Sequence, residues 1–90
     1  DSISIDAYAG GPGRGGPSLL YKNRQDDFPD WQKRDLQTAL PGSKLIPGAM
    51  DGATSATVRY AQIPRLKEMN IAPHIVTLTM GGNDLVQAYG

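Results

Sequence analysis

The stretch HIVTLTMGGND, residues 74–84, carries the clearest structural signal in the chain. Its first seven residues are rich in β-branched and apolar side chains and lie between Pro73 and Gly81, a pattern that reads as a short buried strand entering a loop. Upstream, TSATVRYAQIPRLKEMN (54–70) reads as a helix with Thr54 or Ser55 as its N-cap and Val58, Ala61 and Leu66 on one face. Pro64 kinks that helix or divides it in two. KLIPGAM (44–50), interrupted by Pro47, reads as an edge-like strand running into Asp51-Gly52. In DDFPDWQKRDLQTALPG (26–42), Pro29 fits a first helical turn, Asp30 and Arg34 stand four apart, and Leu40-Pro41-Gly42 is a stop. Trp31, Leu36, Ala39 and Leu40 form its inner face, with Trp31 in a core. Pro17 opens a shorter helical segment over SLLYKN (18–23), with Leu19 and Leu20 inward. Helix, strand, helix, strand, with connections of crossover length, predicts an α/β architecture built on a parallel sheet.

The bulk numbers narrow the function. Ninety residues make one small domain, which buries roughly 60–65% of the surface its unfolded chain exposes. Nine basic and nine acidic residues cancel, so no global field holds a nucleic-acid backbone or an anionic membrane. The absence of cysteine removes disulfides, thiolate metal sites and cysteine nucleophiles together. No apolar run approaches the ~18 residues of a membrane span. The chain starts at Asp1 with neither an initiator Met nor a leader, so the gene product is expected to begin elsewhere. Neither a metal nor a cofactor is called for.

The glycine run DSISIDAYAGGPGRGG (1–16) contains a G-x-G-x-x-G pattern from Gly11 to Gly16. Dinucleotide loops of that pattern bring backbone N–H groups to a pyrophosphate at a helix N-terminus. Here no buried strand ends before Gly11, Pro12 has no N–H to donate, and no Gly-Lys-Ser/Thr follows. The stretch therefore reads as a surface loop, with Arg14 as a solvated arginine.

Three other segments carry candidate polar groups, the last two just beyond an apolar run: Asp1-Ser2, DGATS (51–55) and GGND (81–84). Acyl transfer needs a nucleophile and donors aimed at the oxygen that becomes negative in the tetrahedral intermediate. Ser2 offers the hydroxyl, Gly52 a backbone N–H with no side chain in the way, and Asn83 a neutral amide donor.

Taken in order, these blocks resemble three of the four sequence blocks of the SGNH, or GDSL-type, serine hydrolases. The resemblance implies a flavodoxin-like three-layer α/β/α sandwich with a parallel sheet, incomplete in this chain, so that residues 1–90 form the N-terminal part of a single SGNH hydrolase-like domain. It also implies an esterase or lipase-like activity on a small-molecule acyl ester through an acyl-enzyme. Ser2 would be the nucleophile, and the Ser2 and Gly52 N–H groups with the Asn83 side chain would form the oxyanion hole.

The departures shape the expectation as much as the matches. The glycine that opens the family's first block, and the strand before it, are absent. The Asp-x-x-His block has no counterpart: the one histidine, His74, has Ile71 three residues before it and opens the strand that leads to Asn83. A seven-residue strand spans ~20 Å, beyond the reach of a general base, which places His74 at the wrong end. The acid and histidine are expected beyond Gly90, and the isolated chain is expected to be inactive. Asp84 reads as a helix cap and Asp26-Asp27 as solvated. The rival reading is a non-catalytic binding or interaction module.

Overall fold

The computed structural model describes residues 1–90 and is built of short helices and turns, with no strand. The parallel sheet, and with it the α/β/α sandwich, is not formed. Residues 44–50 and 74–80 take no regular secondary structure. The reason is physical: a β-branched run fits a pleated, half-buried surface, and that surface must be supplied by neighbours. Ile75, Val76 and Leu78 remain 51%, 68% and 58% exposed, so the run is not the buried strand its composition predicts. Pro47 also withholds a donor from residues 44–50. The Thr79 carbonyl accepts from the Asp1 backbone nitrogen at 2.8 Å.

The chain divides into two compact units, Ile3–Pro47 and Asp1–Ser2 with Gly48–Gly90. In the first, helix α1 (Gly16–Tyr21) opens at Gly16-Pro17, where proline is tolerated because its missing N–H has no intrahelical partner. The glycine run before it folds around one carboxylate: Asp6 Oδ2 accepts from Gly13 N–H at 2.8 Å and Oδ1 from Gly15 N–H at 2.9 Å. The single helix expected near residues 29–40 is two pieces, a 3₁₀ turn (Pro29–Trp31) and helix α2 (Leu36–Ala39). Lys33, at φ 62°, turns the backbone left-handed between them, so Asp30 and Arg34 never share a helix face. Buried Asp35 starts the second piece, accepting from Thr38 N–H at 2.9 Å as N-cap and from Asn23 N–H at 2.8 Å. Its carboxyl is held below the ordinary range by the Thr38 side chain and by the Asn23 and Thr38 N–H groups. Trp31 is 59% exposed rather than in a core, with the Arg34 guanidinium 5.8 Å from its ring centroid. Asp27 is exposed and pairs at the surface with Arg24 at 2.6 Å and Arg14 at 3.7 Å.

In the second unit, helix α3 (Ser55–Thr57), a π-helical stretch (Val58–Gln62) and helix α4 (Ile63–Glu68) run on without a break. Pro64 widens this helix rather than dividing it. Its ring and missing N–H exclude an ordinary bond to the Tyr60 carbonyl, and the Ile63 N–H reaches back five residues to Val58 O. Asn70, at φ 56°, closes the helix with its N–H on Lys67 O at 3.0 Å. The buried apolar residues are Ala53 and Val58. Gln62 is buried as well, its Nε2 donating to Gly48 O while its Oε1 finds no partner. Helix α5 (Gly82–Tyr89) ends the chain. No helix is long and apolar enough to cross a membrane.

Candidate functional site

The geometry begins at the turn 50–53, closed by Ala53 N–H on Met50 O at 3.3 Å. Gly52 sits in it at φ 72°, a left-handed conformation that side-chain-bearing residues adopt at a cost, while the space where a Cβ would stand is open. Backbone conformation, not crowding, therefore calls for glycine here. The Gly52 N–H donates to no backbone carbonyl. Next, Thr54 caps α3 through a reciprocal box with Thr57, each side chain accepting from the other's backbone N–H.

Helix α5 starts from Gly81, at φ 105°, and its first turn carries Asn83 and Asp84. Asn83 Nδ2 donates to Ala53 O at 2.9 Å. Asp84 reaches past its own helix: Oδ1 accepts from Ser55 N–H at 2.8 Å and Oδ2 from Ser55 Oγ at 2.6 Å. It is thus a cross-link between segments, not the cap of its own helix. The Ser55 hydroxyl, and then the Ser55 N–H, hold its carboxyl below the ordinary value of 3.8. Two successive residues of α5 grip the two residues on either side of Thr54.

The structure therefore joins the glycine and asparagine segments directly. Ser2 is half-buried in a 3₁₀ turn (Ser2–Ser4) and belongs to the same compact unit. Its neighbour Asp1 is buried, with its backbone nitrogen donating to Thr79 O at 2.8 Å, four residues before Asn83. No hydrogen bond joins the Ser2 hydroxyl to Gly52 or Asn83. His74 is exposed at a bend. Each segment keeps a neutral donor outside these bonds: the Gly52 N–H, which has no backbone acceptor, and the second N–H of the Asn83 amide, whose first is on Ala53 O.

No family model, curated protein or solved structure matches the chain.

The glycine loop behaves oppositely. The Gly13 and Gly15 N–H groups that a phosphate would need are taken by Asp6, whose carboxyl is lowered by the Ser18 hydroxyl and by these two N–H groups. A shallow depression of about 660 Å³ nearby, lined in part by Tyr21, Lys22, Arg24 and Leu45, contains none of the predicted site residues. No group of three or more His, Asp or Glu is placed to hold a metal ion.

Sequence reading misses the Ser55–Asp84 cross-link because its partners are 29 positions apart. The Asp6 cradle had a local signal: an aspartate shortly before a glycine run is a frequent acceptor for turn N–H groups.

Proposed function

We propose that this chain carries the nucleophile and oxyanion hole of a serine ester hydrolase of SGNH type, acting on a small acyl ester. The observation that supports it is the Asn83 to Ala53 hydrogen bond, which holds an amide donor against the segment whose preceding residue, Gly52, has an uncommitted N–H. In this reading Ser2 Oγ attacks the ester carbonyl carbon and its proton passes to a general base. The carbonyl oxygen, now negative, is held by the Gly52 N–H and the Asn83 amide. Collapse expels the alcohol, which takes the proton from the base, and water then releases the acid from Ser2. The base comes from outside these 90 residues, since the Asp-x-x-His block has no counterpart in them. The 90-residue chain alone is accordingly inactive.

Labelling of the complete protein with a fluorophosphonate tests the reading. Ser2→Ala abolishes covalent modification; persistent labelling removes Ser2 as the nucleophile. The missing base also favours a second reading, a binding module in which the donor pair holds an acyl or sugar oxygen. Saturable ester binding without turnover in the complete protein would establish that alternative.

A further inference from the structure

We infer that Asp84 is a positioning residue, setting the spacing between the Gly52 N–H and the Asn83 amide through its two hydrogen bonds to Ser55. The inference rests on the acyl-transfer reading above. An oxyanion hole works only while its donors are fixed about 2.7–3.1 Å from the developing charge. One neutral hydrogen bond, Asn83 to Ala53 O, links the two donor segments directly, and the amide that makes it is also the one that must donate to substrate.

Asp84 supplies an independent hold. Its carboxylate takes the Ser55 N–H and the Ser55 hydroxyl together, at 2.8 and 2.6 Å, and both are charge-assisted. Ser55 is the first residue of α3, so its N–H has no partner within the helix. Between Ser55 and Ala53, Thr54 is locked by its box with Thr57. Residues 53–57 and 83–84 are therefore tied at both ends of a short ladder. Because both carboxylate oxygens are engaged by Ser55, Asp84 acts through Ser55 and not by moving a proton.

The test compares Asp84→Ala, Asp84→Asn, Ser55→Ala and the Ser55→Ala/Asp84→Ala double variant in the complete protein, with p-nitrophenyl acetate as substrate. The single alanine variants lower kcat by roughly 10- to 100-fold, the scale of a small misplacement of a catalytic group, with KM unchanged. The double variant is no worse than either single one, and Asp84→Asn, which keeps an acceptor for the Ser55 N–H, recovers most of kcat. A lowered melting temperature with unchanged kcat in Asp84→Ala, while Asn83→Ala loses turnover, overturns the positioning role and leaves the hydrolase reading standing. Turnover that survives Ser2→Ala overturns the hydrolase reading instead. Independently of turnover, the Asn83 side-chain amide resonances shift in Ser55→Ala and Asp84→Ala but not in Lys67→Ala. Unmoved resonances overturn the proposal.

Discussion

Two glycine-bearing regions of this molecule present backbone donors, and they end in opposite states. In the loop 10–16, Asp6 enters the concavity and consumes the Gly13 and Gly15 N–H groups. At the turn 50–53 the Gly52 N–H stays without a backbone acceptor. Asp84, the acid that could have filled that role, is turned onto Ser55. Glycine content does not make an anion site. What decides is whether the chain brings its own carboxylate to the donors.

The largest effect expected from that contrast is on catalysis. On the proposed hydrolase reading, Asn83→Ala in the complete protein should lower kcat by roughly 10²–10³, the usual cost of one oxyanion donor, whereas Asp6→Asn should leave kcat unchanged. Equal losses in the two variants would erase the distinction between an open and a closed donor set.

Next in size is Gly15→Ala. A Cβ there would stand 2.7 Å from Asp6 Oδ1 and 3.3 Å from Asp6 N, so the closed cradle has no room for it. Overpacking of this kind costs about 1–3 kcal/mol, read as a lower denaturant midpoint. Gly52→Ala meets open space and pays for its φ of 72° alone, about 1–2 kcal/mol. A larger loss at Gly52 than at Gly15 would mean that the turn, not the loop, is the crowded region.

The smallest effect is on acid stability. Asp6 is held below its ordinary value of 3.8 by Ser18, Gly13 and Gly15, and Asp84 below the same value by Ser55. A depressed folded pKa contributes stability that is complete above the unfolded value and is lost as pH falls through the folded one. Melting temperatures should therefore decline below about pH 4, and Asp6→Asn should flatten that decline. An unchanged acid slope in Asp6→Asn would show that the cradle is not held by charge.

Local chemistry was legible in the sequence and long-range pairing was not. A helix cap at Thr54 or Ser55 and Pro17 as a helix opener are decided within a few residues; the structure caps with Thr54 and opens α1 at Gly16-Pro17. The run 74–80 shows why the sheet expectation failed. Its Ile75, Val76 and Leu78 state a preference for a pleated surface, but no local signal says whether a neighbouring strand is there to receive them. Trp31 failed for a related reason: its size argued for a core, while Lys33 broke the helix that would have delivered it there. At the candidate site, Gly52 and Asn83 could be picked out by residue type, since each chemistry belongs to a single residue. Their junction through Ala53, and the Ser55–Asp84 cross-link, exist only once residues about thirty positions apart have met.

Amide hydrogen exchange of the 90-residue chain, resolved residue by residue, tests the contrast most directly. Slowed exchange is expected at Gly13 and Gly15, whose N–H groups are bound to Asp6, and rapid exchange at Gly52. Protection at Gly52 equal to that at Gly13 and Gly15 would contradict it, because the turn would then be as closed as the loop.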